Sequence, residues 1–214
     1  MASSIRALCL GICCTLILTI TCRVSAETRI SSLVQGAAPS DTIVTGAGFA
    51  CALMTDGRVS CWGSNGRGQL GRDSSITFSP QPAPVVALDQ VVSLAAGGEH
   101  ACALRQNGSV WCWGNNESGQ LGDGTNKDRP LPVQAAFPSQ TNSPRTGMVR
   151  LTAGKAHSCA ADSSYQAYCW GDNSSGQLGI DPRVPSSNTP IWVDISGSST
   201  DRGVDQVGPT RSMV

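Results

Sequence analysis

The chain has 214 residues, of which 14% are charged and 40% hydrophobic, and it contains 24 glycines and 12 prolines. This composition favours one domain of many short strands and turns, and it disfavours long helices with charged faces. The formal net charge is zero and no run of like charges occurs, so the sequence disfavours binding to nucleic acid.

The N-terminal segment has the pattern of a secretory signal peptide. Arg6 precedes an apolar stretch of 14 residues from Ala7 to Ile20, and Val24-Ser25-Ala26 supplies small residues for cleavage. We expect residues 1–26 to be removed, residues 27–41 to form a linker, and the mature chain to be secreted or extracellular. An uncleaved membrane anchor is the lesser alternative, because a membrane span needs roughly 18–20 apolar residues. A lipoprotein site at Cys22 is weaker still, since Thr21 is bulky.

The cysteines that remain after the leader fall into three pairs of equal spacing. Each pair has nine residues between its members, and the three pairs are Cys51 and Cys61, Cys102 and Cys112, and Cys159 and Cys169. The other four cysteines leave with the signal peptide, so no odd thiol remains. An even cysteine count in an exported chain indicates disulfide bonds.

Around these pairs, three long segments of the chain superpose. Each segment carries a Trp-Gly step, and these steps recur after 51 and then 57 residues, at Trp62, Trp113 and Trp170. A period near 50 is typical of a propeller or solenoid. We predict repeats over residues 42–90, 91–147 and 148–203, and the start of a fourth over residues 204–214.

Each repeat contains a predicted β-hairpin that places its two cysteines opposite one another. Asp56-Gly57 and Asn107-Gly108 are strong turn signals, and both suit a three-residue loop with glycine at the position of positive φ. Directly opposed residues have Cα atoms about 4.5–5.5 Å apart, within the disulfide range. The third loop, Ser163-Ser164-Tyr165, lacks a glycine and is the least regular. Strand alternation places Trp111 and Trp113 on the face opposite Cys112.

The repeats resemble the regulator of chromosome condensation repeat over about residues 42–207. The resemblance rests on the Ala-Gly-x-x-His-x-Cys start, at Ala96 to Cys102 and Ala153 to Cys159, on Trp-Gly-x-Asn, and on Gly-Gln-Leu-Gly. It implies an all-β fold, a partial β-propeller of about three blades, each of four short antiparallel strands with a hairpin disulfide. The Cys-x9-Cys-Trp-Gly variant is similar to extracellular members, including bacterial secreted propellers and crinkly-type plant receptor ectodomains.

Two features depart from the seven-bladed ring that the family implies. Thr45 and Phe49 stand in the first repeat where alanine and histidine occur later, as in many terminal repeats. Three blades also cannot close such a ring, although residues 204–207 repeat the lead-in at residues 88–91. We expect a truncated product or fragment, with self-association of several copies into a ring as the alternative.

The candidate catalytic and cofactor motifs all have simpler explanations in the repeat. Gly66 to Gly71 matches a dinucleotide fingerprint, but Glu117 and Ser174 replace Gly66 in the other repeats and no helical pattern follows. His100 and His157 occupy equivalent positions, which favours a hydrogen bond inside each blade over zinc binding or catalysis. We therefore expect no cofactor, no metal and no enzyme activity.

Three asparagines lie in glycosylation sequons, at Asn107, Asn116 and Asn173. All three are also turn positions of the repeat. The sequence therefore allows two interpretations, glycosylation sites or structural turn residues. Trp62, Trp113 and Trp170 are expected to be packing residues of the blades. Trp111 is replaced by Ser60 and Tyr168 in the other repeats, and an unrepeated aromatic residue is a candidate for partner contact.

The stretches that differ between repeats are expected to contain the functional residues. Residues 137–147 and 181–201 are polar, rich in proline and serine, and unmatched, and such loops on a rigid scaffold commonly carry recognition. We predict a secreted or cell-surface, non-catalytic module that binds a protein or glycan through blade-edge loops. The alternative, implied by intracellular relatives, is guanine-nucleotide exchange or scaffolding for a small GTPase.

Overall fold

The computed structural model describes residues 43–72, 74–138 and 147–195. These ranges form twelve strands and no helix. Every strand pairs with its sequence neighbour in an antiparallel sheet of four, and we call the three sheets blades 1, 2 and 3. Blade 1 holds β1 Ile43–Thr45, β2 Phe49–Leu53, β3 Val59–Ser64 and β4 Phe78–Pro84; blade 2 holds β5 Val91–Ala96, β6 His100–Arg105, β7 Val110–Gly114 and β8 Arg129–Gln134; blade 3 holds β9 Met148–Ala153, β10 His157–Asp162, β11 Ala167–Asp172 and β12 Ser186–Val193. The predicted all-β fold of four-stranded blades is confirmed.

The central hairpin of each blade has the predicted register. In blade 1, Cys51 lies opposite Cys61, and the Met54 N–H donates to the Arg58 carbonyl at 2.8 Å, which leaves a three-residue loop. The last loop residue has a positive φ in all three hairpins: 77° at Gly57, 78° at Gly108 and 63° at Tyr165. Blade 3 therefore forms the same turn as its neighbours, but with a tyrosine in a conformation that suits glycine.

All three disulfides are present, and the hairpin register explains their close approach. The turn-closing bond between Met54 and Arg58 marks that pair as hydrogen-bonded. Since hydrogen-bonded and non-hydrogen-bonded pairs alternate, Cys51 and Cys61 are a non-hydrogen-bonded pair, the closer of the two kinds. The Cα atoms of the three cystines are 4.0–4.1 Å apart, which is shorter than the 4.5–5.5 Å expected.

The hydrophobic core lies mainly between blades. One buried cluster joins residues of blades 1 and 2, including Leu70 and Trp113, and a second joins residues of blades 2 and 3, including Leu121 and Trp170. Strand β6 is buried almost throughout because blade 2 has a neighbour on each side. The outer strand β4 is mostly exposed and the outer strand β8 is mostly half-buried, and both carry prolines, which protect a sheet edge from further pairing.

Candidate functional site

The Trp-Gly tryptophans join each blade to the one before it. Trp113 and Trp170 are fully buried, and their Nε1 atoms donate to the backbone carbonyls of Gln69 and Gln120 at 2.9 Å. The acceptor in each case is the glutamine of Gly-Gln-Leu-Gly in the preceding blade. The expected packing role is thus confirmed for these two residues, whereas Trp62 is only half-buried.

The asparagine of each Trp-Gly-x-Asn motif stabilises the turn that contains the glutamine of Gly-Gln-Leu-Gly. Asn65, Asn116 and Asn173 are almost fully buried, and each Oδ1 accepts the backbone N–H of the leucine five residues later at 2.9–3.1 Å. Each Nδ2 donates to carbonyls of the following loop; for Asn173 these are Asp181 at 3.2 Å and Val184 at 2.7 Å. One side chain therefore fixes both the turn and the loop beyond it.

Backbone hydrogen bonds at the innermost turns also join the blades. The Ala47 N–H donates to the Gly98 carbonyl at 2.7 Å, and the Gly98 N–H donates to the Lys155 carbonyl at 2.9 Å. These three residues occupy equivalent positions in the three blades. Each joint, the interface between two neighbouring blades, is therefore held by repeated contacts of the backbone as well as of the side chains.

His100 makes its hydrogen bond across a joint, which corrects the expectation of a bond inside each blade. Its Nε2 lies 2.9 Å from Oγ of Ser158 in blade 3. Ser158 in turn donates to the Gln120 carbonyl at 3.0 Å, the same oxygen that accepts Trp170. The serine hydroxyl must therefore accept from His100, which places the histidine proton on Nε2. The strand order makes this possible because the innermost strands of neighbouring blades lie side by side.

Burial keeps the His100 ring neutral. Burial, and secondarily the charge of His157, lowers the pKa of His100 to about 4. Its Nδ1 atom is buried and has no hydrogen-bond partner within the described ranges. At the equivalent joint between blades 1 and 2, Phe49 replaces the histidine and Ala101 replaces the serine, and both are buried. The polar pair of His100 and Ser158 and the apolar pair of Phe49 and Ala101 thus occupy equivalent positions in the two joints.

Ser158 is the functional residue of this joint that sequence reasoning missed. It stands where the other two repeats have alanine, Ala50 and Ala101, on a strand whose equivalents are apolar. An unmatched serine one residue after a histidine on a buried strand was the available signal. Sequence comparison between repeats alone could not show that its partner lies on another blade.

The disulfides differ in exposure from one blade to the next. The four cysteines of blades 1 and 2 are completely buried, whereas Cys169 is 8% exposed and Cys159 is half-buried. The described part of the chain covers one face of blade 3 only, on the side of blade 2. The third disulfide is therefore the most accessible of the three.

The three sequons lie in contrasting environments. Asn107 is exposed at the tip of the blade 2 hairpin. Asn116 and Asn173 are fully buried, and their amide groups form the turn contacts described above. The turn interpretation holds for these last two residues, and glycosylation of any sequon stays a prediction.

Trp111 is a half-buried residue at the edge of the joint between blades 1 and 2. Its Nε1 donates to Oγ of Ser109 at 3.1 Å, and Cζ of Arg105 lies 5.8 Å from the ring centroid. Tyr168, its counterpart in blade 3, is buried against Phe137 with ring centroids 5.7 Å apart. The two aromatic residues therefore share a packing role that the sequence did not suggest. A partner contact through Trp111 stays a prediction.

Charged residues of the exposed loops are paired across and within blades. Arg67 of blade 1 reaches Glu117 at 2.8 Å and Asp128 at 3.2 Å in blade 2. Within the loop that follows, Arg129 Nε donates to Asp123 at 2.8 Å. Burial raises the pKa of the Asp123 carboxyl, but hydrogen bonds from Thr125 and Arg129 outweigh burial, and the pKa lies below its ordinary value. These contacts fix loops that the sequence left unassigned.

The loops singled out from the sequence are described in part. Residues 137–138, 147 and 181–195 are described, and residues 139–146 and 196–201 lie outside the described ranges. In the second loop, Arg183 is exposed and pairs with Asp181, and its hydrogen bonds lower the pKa of that carboxyl to about 2. Asn188 Nδ2 donates across the joint to the Gly124 carbonyl at 3.2 Å and to Asn126 at 3.1 Å.

The glycine-rich stretch from Gly66 to Gly71 does not have the geometry of a dinucleotide site. The glycine-rich stretch forms two successive turns, in which Gly68 N–H donates to Asn65 and Gly71 N–H donates to Gly68, and the next element is strand β4. This is not the strand-turn-helix of a dinucleotide site. Among the residues that the structure describes, no three histidine, cysteine or acidic side chains are grouped as a metal site, and no helix is long and apolar enough to cross a membrane.

Within the described ranges, no residue covers the outer face of blade 1 or the outer face of blade 3. A Cβ atom built at Gly68 or Gly119 would lie 2.5 Å from the Cα of Pro130 or Asn188 in the following blade, so only glycine fits there. At Gly176, the equivalent position of blade 3, no atom of the described residues lies within 4 Å of such a Cβ. At the other end Trp62 is half-buried where its counterparts are fully buried.

Comparison with protein families gives matches throughout the repeats. Two sequence profiles, both described as the regulator of chromosome condensation (RCC1) repeat, match residues 41–69, 91–120 and 149–177, and residues 56–104 and 107–161. The human probable E3 ubiquitin-protein ligase HERC6 is 32% identical over 157 residues, which are 72% of this chain and 15% of that protein. The ultraviolet-B receptor UVR8 of Arabidopsis thaliana is 33% identical over 143 residues, 64% of this chain and 31% of the receptor. The chain thus spans less than a third of the length of these curated relatives.

Solved structures show the same architecture. Prp20p from Saccharomyces cerevisiae, reported with its binding properties to Gsp1p and histones, superposes with a TM-score of 0.59 at 25% identity, over 73% of this chain and 38% of Prp20p. Human WBSCR16 superposes with a TM-score of 0.62 over 73% of this chain and 38% of that protein. At 20% identity, this second likeness concerns the fold alone.

Proposed function

Because the chain belongs to the regulator of chromosome condensation (RCC1) repeat family, we propose that it is a secreted or cell-surface, non-catalytic propeller module. It binds a protein or glycan partner through the exposed loops at the blade edges. The observation that carries this proposal is the contrast between the repeated and the variable residues. The repeated motif residues are buried in the joints and turns. The exposed loops of each blade differ in sequence, and hydrogen bonds from the buried motif residues hold them in place.

The binding loop that the structure describes best is the one around Asp181 and Arg183. Two backbone carbonyls of this loop accept hydrogen bonds from Asn173. The Arg183 side chain extends into solvent with 82% of it exposed, and the Asp181 side chain that pairs with it is half-buried. A fixed backbone lowers the entropy lost on binding, and an exposed arginine is a frequent contributor to interfaces. A rigid, charged loop of this kind suits a protein or an acidic glycan.

A matched pair of variants tests this loop. Arg58 and Asp56 form the same exposed Asp-x-Arg pair in the blade 1 hairpin. The purified protein is used to capture cell-surface proteins, identified by mass spectrometry, and is applied in parallel to a glycan array. Arg183→Ala is expected to weaken binding to the partner found at least tenfold, and Arg58→Ala to leave it unchanged. Equal binding by both variants and the wild type contradicts this loop as the binding site.

Export is supported by the leader pattern of residues 1–26 and by the three cross-strand cystines. Disulfides persist in oxidising compartments, whereas cytosolic thiols stay reduced. Expression with the native N-terminal segment in secretory cells, followed by mass spectrometry with and without reductant, tests this. We expect three intrachain disulfides and a chain that begins at Glu27. Retention of residues 1–26 in membrane-bound protein would favour the membrane anchor, and six free thiols in mature protein would overturn export.

Regulation of a small GTPase is the second candidate, and the likeness to Prp20p favours it. A nucleotide-exchange assay against a panel of small GTPases separates the two functions. The proposed module gives no acceleration of exchange. Acceleration by reduced protein from a cytosolic host would replace the proposed function with this one.

Self-association is supported by the two uncovered end faces. Trp62 and the Gly176 turn are the counterparts of residues that meet at each joint, so a second copy could place its Trp62 Nε1 on the Gln177 carbonyl. Sedimentation at several concentrations tests this contact. Trp62→Ala is expected to shift an oligomer toward monomer, and a wild-type chain that is monomeric at all concentrations contradicts it.

A further inference from the structure

We propose that Asn107 is the single N-glycosylation site among the three sequons, and that its glycan lies beside Trp111. The inference deepens the proposed function, because it requires the chain to enter the secretory pathway of a eukaryotic host. It is drawn from the different positions of three asparagines that the sequence presents as equivalent.

The Asn107 side chain is arranged for transfer. It is exposed at the hairpin tip, and its Oδ1 accepts hydrogen bonds from the Ser109 N–H at 3.0 Å and the Ser109 Oγ at 2.7 Å. Within the described residues, its Nδ2 makes no hydrogen bond. The nucleophilic nitrogen is therefore free, and the hydroxyl that completes the sequon already polarises the amide carbonyl.

Asn116 is unavailable because its Nδ2 is committed to the fold. This atom lies 2.9 Å from the Thr125 carbonyl, 3.1 Å from the Lys127 carbonyl and 3.1 Å from Asp123 Oδ1. The residue is completely buried. A sugar on Nδ2 would replace one of the N–H donors of this amide, and the buried site has no space for the sugar.

Asn173 is excluded for the same reason. It is completely buried, and its Nδ2 donates to two backbone carbonyls of the loop that carries the proposed binding residues. Glycosylation of Asn116 or Asn173 before folding would therefore prevent the turn from forming. Chains modified at either position are expected to fail to reach the native state and to be absent from the secreted protein.

The reaction is an ordinary transfer from a lipid-linked oligosaccharide. The Asn107 Nδ2 attacks the anomeric carbon of the first sugar and forms a carbon–nitrogen bond. The bond from that carbon to the lipid pyrophosphate breaks, the pyrophosphate leaves with the electron pair, and the amide nitrogen loses one proton to a base of the transferase. The chain supplies only the asparagine and the serine of the sequon.

The glycan would stand next to Trp111. Ser109 Oγ accepts the Trp111 indole N–H at 3.1 Å while donating to Asn107, so a single hydroxyl joins the two residues. Sugar on Asn107 would therefore shield the exposed part of the Trp111 ring. In glycosylated protein, the glycan would block contact between a partner and Trp111. The loop of residues 181–183 would stay accessible to a partner.

Site mapping tests the assignment. The full chain is secreted from a eukaryotic line, with its native N-terminal segment in one arm and with an added leader of known efficiency ahead of the full chain in the other. Enzymatic release of glycans in heavy-oxygen water marks each occupied asparagine for mass spectrometry. We expect the mark at Asn107 and none at Asn116 or Asn173. Asn107→Gln and Ser109→Ala should abolish it.

Matched controls remove the other two sequons without touching a buried amide. The hydroxyls of Ser118 and Ser175 make no hydrogen bond in the described ranges, so Ser118→Ala and Ser175→Ala should fold normally and carry the wild-type glycan mass. An unmodified Asn107 in secreted protein from the added-leader arm overturns the proposal, as does a glycan on Asn116 or Asn173 in soluble, disulfide-paired protein. Secretion only with the added leader contradicts the proposed export, and in that arm a mark at Asn107 alone confirms the glycosylation site independently.

Oxidative footprinting tests the position of the glycan. Trp111 should be oxidised several-fold more slowly in the glycosylated protein than after enzymatic removal of the sugar. Trp113 is fully buried and should be unreactive in both samples. Equal oxidation of Trp111 in the two samples contradicts the placement beside it.

Discussion

The Nε2 atom of His100 in blade 2 lies 2.9 Å from the Oγ atom of Ser158 in blade 3. The joint between blades 1 and 2 places Phe49 and Ala101 at the same two positions. The pair of Phe49 and Ala101 is therefore an apolar version of the contact between His100 and Ser158. Introducing this apolar pair at the joint between blades 2 and 3 gives the control variant for the first two predictions.

The first prediction concerns pH. Burial lowers the pKa of His100 to about 4 in the folded protein, from an ordinary value of 6.5. The unfolded chain therefore binds a proton more readily, and stability is lost as the pH falls from 6.5 toward 4. The expected loss is about 2 kcal/mol between pH 7 and pH 5. Urea unfolding at the two pH values measures it. The double variant His100→Phe with Ser158→Ala should lose markedly less, and an unchanged pH dependence would contradict the role of His100.

The second prediction concerns the pair at neutral pH. Ser158→Ala leaves the buried His100 N–H without an acceptor and should cost about 1–3 kcal/mol of unfolding free energy. Adding His100→Phe restores the apolar arrangement of the neighbouring joint and should recover part of that loss. Denaturant unfolding of both single variants and the double variant gives the coupling energy. Additive effects would show that the two side chains do not interact.

The third prediction concerns the blade 3 hairpin. Tyr165 has a φ of 63°, where glycine stands in the other two hairpins. Tyr165→Gly should raise the free energy of unfolding by about 0.5–1 kcal/mol, because relief of the strained backbone outweighs the added freedom of the unfolded chain. Ser164→Gly in the same loop, where φ is not positive, is the control and should not stabilise. The idea fails if both changes shift the melting temperature alike.

The fourth prediction concerns the order of reduction. Cys159 is half-buried, whereas both cystines of blades 1 and 2 are fully buried. Because thiol–disulfide exchange requires access to a sulfur atom, mild reductant should open Cys159–Cys169 first. Alkylation with light and heavy reagents before and after full reduction, followed by peptide mapping, gives the order. Earlier labelling of Cys51 or Cys102 would be inconsistent with this order.

The sequence was sufficient for features set by local spacing. The opposition of Cys102 and Cys112 follows from the two-residue alternation of strands and the three-residue loop at Asn107-Gly108. The recurrence of Trp-Gly indicated three repeats, and the resemblance to the regulator of chromosome condensation repeat implied that each is a four-stranded blade. These are properties of segments of about 20 residues, within which chain geometry leaves few alternatives.

The contacts between blades could not be predicted in the same way. Ser158 and His100 are 58 residues apart in sequence, and only the packing of one sheet on another brings them together. Similarly, three sequons look alike in sequence, and only the folded turn shows that Asn116 is enclosed and Asn107 is not. A repeat alignment compares equivalent positions, whereas each joint pairs different positions of successive repeats.

The bond from Trp113 to Gln69, remade from Trp170 to Gln120, gives the array a polarity. Each blade has a donor end and an acceptor end, and neither end needs a specialised neighbour. A duplicated gene segment of roughly 50 codons can therefore enter or leave between any two repeats, and the severed joint is restored by the same two residues. Array length in such a chain can thus evolve in whole steps, with no new interface required at any step.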